Sequence, residues 1–215
     1  MASRIRNQMN ERTEMLAGVS HDLRTPLTRL KLQLAMLPSN SEITSMSKDI
    51  EEMEIMINDY LSFAKDNVTE KFSKLNLNIF FKELIKNHIS SKFNIKLFIP
   101  DTKLEFNLRK QSFKRSILNI IENSKRYSKN IEINIKKTED SLVIFIDDDG
   151  PGIKKQDREN ALRPFYRLET SRNKNTGGTG LGLSIANNII LSHGGKLELL
   201  SSPLGGLRVK LSLPQ

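Results

Sequence analysis

The stretch Val19-Ser20-His21-Asp22-Leu23-Arg24-Thr25-Pro26-Leu27 sets an imidazole among polar neighbours. A neutral imidazole is a competent nucleophile near neutral pH, since its unperturbed pKa is about 6.5. Apolar residues recur at Leu16, Val19, Leu23, Leu27, Leu30, Leu34 and Leu37, every third or fourth position, so His21 points away from that stripe. Arg24 and Thr25 share the face of His21, whereas Asp22, one residue on, reaches the ring only through its own rotamer. Pro26 lacks an N–H and crowds the carbonyl of Asp22, which predicts a bend beside the histidine. Taken alone, a helical histidine is more often a solvated or satisfied side chain than a reactive one.

Three further groups lie downstream. Asn119 and Asn123 stand four apart, on one face of a helical stretch from Gln111 to Tyr127, where Asn is mildly unfavourable. Asp147-Asp148-Asp149-Gly150-Pro151-Gly152-Ile153 follows a strand pattern and reads as a turn, a calcium-like loop or a ligand site. The calcium reading lacks the expected ladder of ligands. Gly177-Gly178-Thr179-Gly180-Leu181-Gly182-Leu183-Ser184 opens a helix marked by Ile185, Ile189 and Ile190, and a glycine-rich turn before a helix N-terminus is an anion site. A dinucleotide fingerprint would belong after the first strand of a parallel unit, and this run comes late in the chain. His193-Gly194-Gly195 reads as a helix C-cap in preference to a second catalytic site.

The elements that must position these residues fall into two sets. One long helix is expected from Ile5 to about Leu37, ended by Leu37-Pro38-Ser39-Asn40. Ser41 reads as the N-cap of a second helix, with Ile43, Met46, Ile50, Met53, Ile57, Tyr60 and Ala64 in a three-four repeat whose methionines are core. A lone hairpin cannot cover both apolar seams, so a homodimer forming a four-helix bundle is expected. The polar run from Asp66 to Lys74 places the division: residues 1–66, a linker at 67–74, and a second domain at 75–215. In the second domain Leu75 to Leu77, Ile95 to Ile99, Lys103 to Leu108, Ile131 to Ile135, Leu142 to Ile146, Lys196 to Leu200 and Leu207 to Leu213 read as extended. Helices are expected from Ile79 to His88 and Gln111 to Tyr127, giving an α+β sandwich with helices on one face of a mixed sheet. The polar run Glu169 to Thr176 reads as a mobile lid.

With 37% apolar residues in 215, the chain can bury a core. It has no cysteine, which excludes a disulfide framework and thiolate metal sites, and a reducing compartment fits. No apolar run approaches the roughly 20 residues that cross a bilayer. The charge of +9 is scattered, with no Trp, three Tyr and no base-reading module, so nucleic acid is not expected as a partner. Attraction of ATP, an acidic protein or an anionic membrane is a better use of the charge, beside a solvated lysine-rich surface.

His21-Asp22-Leu23-Arg24-Thr25-Pro26-Leu27 resembles the phosphoacceptor box of the sensor histidine kinases of two-component systems, and Met15 to Leu30 is similar to the EnvZ type of osmosensor kinase. Asn119 to Tyr127 resembles the family's N box, Arg163-Pro164-Phe165-Tyr166-Arg167 its F box, and the two glycine motifs follow in the family's order. The likeness covers roughly Met9 to Leu213 and implies a catalytic domain of the histidine kinase/gyrase/Hsp90 type, using ATP and Mg²⁺. It implies His21 as phosphoacceptor, Asp22 as proton acceptor or orienting group, and Arg24 and Thr25 as flanking catalytic residues, with Thr25 positioning water for a phosphatase reaction. It further implies Asn123 as the Mg²⁺ ligand, Asn119 on the nucleotide, Lys125 or Arg126 near phosphate, Tyr127 against the base and Asp148 on the adenine amino group. Gly150, Gly152, Phe165 and Arg167 would border the nucleotide, as would Gly178, Thr179, Gly180, Leu181, Gly182 and Leu183. Ser124 and Lys125 depart from the family's usual Ala and neutral residue, and Asn160-Ala161-Leu162-Arg163 is looser than its usual apolar lead. The implied partner is an OmpR-like response regulator. The implied setting is a cytoplasmic fragment of a protein anchored in the bacterial inner membrane, touching membrane only through a sensor part absent from this chain. Rival readings are an ATPase of the gyrase, Hsp90 and MutL type and an inactive dimeric scaffold.

Overall fold

The computed structural model describes residues 22–38, 40–65, 70–86, 93–100, 102–138, 141–167 and 179–214. The chain divides into two compact units, Met1–Val68 and Thr69–Gln215.

In the first unit, α1 spans residues 22–35 and runs on through Pro26. The stretch from Ile5 to His21, expected to begin this helix, lies outside the described residues. The last turn of α1 tightens, with the Met36 N–H bonded to the Gln33 carbonyl at 3.2 Å and Leu37 N–H to Leu34 at 3.2 Å. Helix α2 covers Ser41–Lys65. Its cap is Asn40, not the expected Ser41: the Asn40 side-chain oxygen accepts the Ile43 N–H at 2.7 Å and its carbonyl accepts the Thr44 hydroxyl at 2.8 Å. An Asn side chain reaches the free N–H groups of a first turn as well as Ser does, so Ser-versus-Asn spacing alone misplaces a cap by one residue. Leu27 and Ile50 are buried, but Leu23, Leu30, Leu32, Met46 and Met53 remain exposed. An apolar stripe of that extent is not a stable end state in water.

The second unit closes its own core. Strands β1 (Ser73–Asn76) and β3 (Glu105–Leu108) pair antiparallel as a small sheet, with Leu75 opposite Phe106. The large sheet has the order β2-β4-β5-β7-β6. Its strands are β2 (Asn94–Phe98), β4 (Asn130–Lys137), β5 (Ser141–Asp148), β6 (Lys196–Ser201) and β7 (Leu207–Pro214). Strand β2 runs parallel to β4, which requires a crossover, and the other pairings are antiparallel. The crossover includes α4 (Lys110–Tyr127), whose Phe113, Ile117, Ile120, Ile121 and Ser124 are buried at helical spacing. Helices α3 (Leu77–Lys86) and α6 (Gly182–Ser192) bury Phe81, Leu84, Ile185 and Ile190, and a single-turn α5 (Arg158–Ala161) follows a 3₁₀ turn at Lys155–Asp157. Ile131, Ile133, Ile135, Leu142, Ile144, Ile146, Val209, Leu211 and Leu213 alternate along β4, β5 and β7 and form the buried face beneath those helices. The mixed sheet with helices on one face is the architecture that the strand and helix patterns imply. Residues 70–74, inside the segment expected as a linker, are tied into this unit: β1 begins at Ser73, and the Glu70 carboxylate accepts the Gln111 and Ser112 N–H groups at 2.7 and 2.9 Å.

Candidate nucleotide site

His21 and Gly178 lie outside the described residues. Asp22, Arg24 and Thr25 are exposed on α1, and Arg24, Thr25, Thr28, Arg29 and Leu32 line a shallow groove on that helix. The Thr28 hydroxyl donates to the Arg24 carbonyl at 3.0 Å, so a local side-chain bond settles the backbone just after Pro26.

In the second unit the three consecutive carboxylates have three different duties. Asp147, on the outer face of β5, is buried and receives the Arg208 guanidinium two-pronged, Nε to Oδ1 at 2.8 Å and Nη2 to Oδ2 at 2.9 Å. Arg208 also stacks over Phe145, 4.7 Å from the ring centre, and its pKa is raised by the bond to Asp147. Asp149 caps the start of β4, accepting the Lys129 and Asn130 N–H groups at 2.9 and 3.0 Å and the Asn130 amide at 2.6 Å. The Asn130 backbone and side-chain donors, then the Lys129 N–H, hold its carboxyl below the usual range.

Asp148, between them, faces inward and is buried. Its Oδ1 accepts the Gly150 N–H at 3.0 Å and the Leu207 N–H at 2.9 Å, and its Oδ2 accepts the Ser124 hydroxyl at 3.0 Å. Among the described residues three donors meet it, against roughly four acceptor positions of a carboxylate. A Cβ at Gly206 would collide with Asp148 Oδ1 and the Gly150 nitrogen, so only glycine lets the β6–β7 turn press against this carboxylate. The carboxylates therefore diverge, and among the described residues no group of three His, Cys, Asp or Glu side chains is placed to hold a metal.

The expected residues that the structure brings together do so in separate contacts: Gly150 with Asp148 and Tyr127, Gly182 with Asn119, and Phe165 with Gly180. Asn119 and Asn123 lie on the half-buried face of α4, one turn apart. The Asn119 Nδ2 is the buried side-chain polar atom without a hydrogen-bond partner among the described residues. Gly182, the first residue of α6, sits against Asn119, with a Cβ there 3.7 Å from the Asn119 carbonyl oxygen. A Cβ at Gly150 would stand 3.0 Å from the Tyr127 carbonyl oxygen, which brings the Asp/Gly loop to the end of α4. Phe165 has a left-handed φ of 62°, is exposed, and donates its N–H to the Gly180 carbonyl at 3.1 Å. Gly180 has φ 69°, and a side chain there would press on the Phe165 backbone. A non-glycine residue in that region is strained, and such strain concentrates at working sites. Thr179 Oγ accepts the Leu181 N–H at 3.3 Å at the head of α6. Lys125, expected near phosphate, pairs with Glu122 at 3.0 Å and lies over the Phe93 ring, and Arg126 is exposed.

Several participants were not singled out by sequence reasoning as site residues. Ser124 was noted only as a departure, and Gly206 and Leu207 belong to a turn 59 residues from Asp148 along the chain for the latter. Glu70, Phe72 and Arg109 meet His193 at the far end of α4, and only the His193-Gly194-Gly195 cap carried a signal. That cap is observed: Gly194 has φ 75° and the Gly195 N–H reaches the Ile190 carbonyl at 3.0 Å.

A mixed sheet under α4, with a glycine-bordered buried carboxylate and the first residue of α6 against Asn119, marks the candidate nucleotide site of an α+β domain that follows a helical hairpin. The family described as His Kinase A (phospho-acceptor) domain matches residues 11–67, and that described as Histidine kinase-, DNA gyrase B-, and HSP90-like ATPase matches residues 109–215. Sensor histidine kinase CpxA of Escherichia coli K12 is 32% identical over 225 residues, matching 100% of this chain and 49% of its own length. Sensor protein RstB of the same strain is 30% identical over 229 residues, again 100% of this chain and 51% of its own. The full-length structure of ShkA in complex with AMPPNP has the same fold, with TM-score 0.71 and 18% identity over 94% of this chain and 45% of its own. The chain belongs to the sensor histidine kinases built from these two domains. It spans about half the length of the curated relatives it matches.

The Asp147–Arg208 pair allows a test of structural against functional carboxylates. Arg208→Ala strands a buried carboxylate and is expected to cost about 2–4 kcal/mol, whereas Asp147→Ala leaves a part-exposed guanidinium that water can solvate and costs about 1–2 kcal/mol. Urea titration of both variants checks the order; a reversed order would mean that Asp147 is sufficiently hydrated without its partner.

Proposed function

We propose that the second unit binds ATP with Mg²⁺ and that the γ-phosphoryl passes to a ring nitrogen of His21. The observation that carries this reading is the buried amide of Asn119, which has no hydrogen-bond partner among the described residues and belongs to a residue that Gly182, at the head of α6, packs against, on the same helix whose Ser124 holds Asp148. A buried polar atom costs about 1–3 kcal/mol unless something pairs with it, and a nucleotide supplies what is missing. Asp148 accepts the adenine amino group, the free N–H groups at the start of α6 receive phosphate oxygens, and Asn119 donates to the nucleotide. The amide oxygen of Asn123 suits Mg²⁺, which prefers a few protein oxygens supplemented by phosphate and water, so the donor set fits that ion. When bound, the ion neutralises phosphate charge as the phosphoryl moves. Lys125 or Arg126 approaches phosphate and Tyr127 the base, with Phe165, Arg167 and the residues from Gly178 to Leu183 bordering the site.

In the transfer, the bond between the γ-phosphorus and its bridging oxygen breaks, a nitrogen–phosphorus bond forms, ADP departs and Asp22 takes the imidazole proton. Arg24 and Thr25 stand on α1, three and four positions after His21 in the sequence, the spacing of neighbours on one helix face. The phosphoryl then moves to an aspartate of an OmpR-like response regulator, and Thr25 positions water for the reverse, dephosphorylating reaction. Residues 1–66 act as the dimerisation and phosphotransfer domain and 75–215 as the catalytic domain. The exposed stripe of Leu23, Leu30, Met46 and Met53 supports a homodimer that closes a four-helix bundle. No described helix is long and apolar enough to cross a membrane; a setting at the bacterial inner membrane is what the likeness to the sensor kinases CpxA and RstB supports. Within the family, the similarity of Met15 to Leu30 to the EnvZ type supports an osmosensor-like kinase, while CpxA and RstB are the relatives named above.

Incubation with γ-labelled ATP and Mg²⁺ is expected to label the protein in a form lost in acid and kept in base, and His21→Ala abolishes the label while sparing ATP binding. Label persisting in that variant would place the acceptor elsewhere; ATP binding without any label would favour an ATPase or a scaffold. Asn123→Ala is expected to remove the Mg²⁺ dependence of nucleotide affinity, with unchanged affinity in magnesium counting against its role. Thr25→Ala should depress phosphatase turnover at least about tenfold more than autophosphorylation, and equal losses would make Thr25 structural.

A further inference from the structure

Helices α4 and α6 lie side by side and antiparallel. At one end Gly182 of α6 meets Asn119 of α4; at the other, His193, the C-cap of α6, meets Arg109, the N-cap of α4. Ten residues of helix, about 15 Å, separate the two ends.

The distal end is held by a closed set of contacts. His193 is buried, and its Nδ1 lies 2.7 Å from the Ile189 carbonyl, an acceptor only, so Nδ1 carries the proton. Nε2 is then a lone pair, and it accepts the Arg109 N–H at 3.0 Å. The imidazole is neutral by geometry. Phe72 meets it edge-on at 5.4 Å, the Arg109 guanidinium lies 4.5 Å over the Phe72 ring, and Arg109 Nη1 donates to Ser192 at 3.2 Å. Glu70 closes the first turn of α4 through the Gln111 and Ser112 N–H groups and the Ser112 hydroxyl. The charged groups facing His193 are Arg109 from α4 and Glu70 from the segment before β1; Phe113 adds an uncharged ring at 6.4 Å.

We propose that Glu70, Arg109 and His193 form a proton-sensitive clasp, a set of positioning residues that holds the α4–α6 pair, and with it the nucleotide motifs at the far end, to the segment that begins the second unit. A second proton on His193 sets an N–H against the Arg109 N–H and a cation beside the guanidinium. The ring must turn away, and the first turn of α4 loses an acceptor. Burial is the largest influence and lowers the His193 pKa, with Arg109 adding to it, while the Ile189 carbonyl and Glu70 oppose; the net direction is down. Since the folded value lies below the unfolded one, the clasp is complete above about pH 6.5 and is lost as pH falls through the depressed folded value. Burial also works against the Glu70 anion, but the Gln111 N–H and the Ser112 hydroxyl and N–H outweigh it and hold its carboxyl below the usual range, so Glu70 stays charged through this window.

The proposal rests on nucleotide binding by the second unit, and its test separates the two. The full 215-residue chain is titrated with a fluorescent ATP analogue and Mg²⁺ from about pH 7.5 to about pH 5, the range of imidazole titration. Wild type is compared with His193→Gln, whose amide can donate to Ile189 and accept from Arg109 without titrating. Titration of the ligand is common to both and cancels in the ratio. Wild-type affinity is expected to fall about fivefold more than that of H193Q across the range, with the two alike at the upper end. Parallel curves overturn the clasp. Phe72→Ala, at a half-exposed surface position, uncovers the imidazole and moves the wild-type fall to higher pH; a fall at an unchanged pH overturns the proposal even if H193Q does not fold. Absence of binding by wild type at the upper end would overturn the nucleotide reading instead, and the clasp is then judged by melting temperature against pH, which H193Q must flatten over the same range.

Discussion

The site of the second unit depends on holding one buried carboxylate, Asp148, in a single place. Burying such a group without partners is costly, so each donor that meets it is also a tether. The Ser124 hydroxyl ties it to α4, the Leu207 N–H to β7 and the Gly150 N–H to its own turn. These tethers bring a helix, a strand end and a hairpin to one point. The absent side chain of Gly206 is part of the same constraint, because any Cβ there would occupy the space of Asp148 Oδ1. Once Asp148 is placed, Gly150 meets the end of α4, and Asn119 and Asn123 share the helix that carries Ser124.

The neighbouring carboxylates show why an acidic run need not be a metal site. A strand sends successive side chains to opposite faces, so Asp147 and Asp148 cannot converge. Asp147 finds Arg208 across the ladder, where the register sets the two opposite each other. Asp149, past the strand end, turns back to cap the start of β4. Local geometry alone separates the three roles, and Asp148 is the one that faces inward, tied to α4 and to the start of β7.

Much of this was legible in the chain because its signals are local. Alternation marked β4, β5 and β7, and three-four spacing marked α4 and α6, since burial on one face writes the period directly into sequence. The N box and glycine motifs were legible because their residues are neighbours in sequence as well as in space. What was not legible is long-range. Nothing near His193 announces Arg109, 84 residues away, nor does Gln111 announce Glu70, 41 residues away. The segment 70–74 reads as polar linker because polarity does not reveal that a carboxylate will cap a helix. Asn40 displaced Ser41 as a cap because either side chain can serve, and only backbone geometry decides. The left-handed Phe165 was equally invisible, as no bulky residue advertises a conformation that costs it energy.

The two units meet the demand for burial differently, and that difference suits different work. The second unit covers Ile131, Ile133, Ile144, Leu211 and their neighbours with its own helices, so its site is formed within one chain. Among the described residues, the two helices of the first unit bury Leu27 and Ile50 and leave Leu23, Leu30, Leu32, Met46 and Met53 exposed. A hairpin in that condition is stabilised by whatever surface covers the stripe, and a second copy presents the same stripe in the right spacing. The contacts that hold Asp148 thus lie within one unit, whereas the helix bearing Asp22, Arg24 and Thr25 leaves Leu23 and Leu30 exposed. On the proposed homodimer, the same apolar residues that leave the isolated hairpin incomplete tie the proposed acceptor helix to assembly.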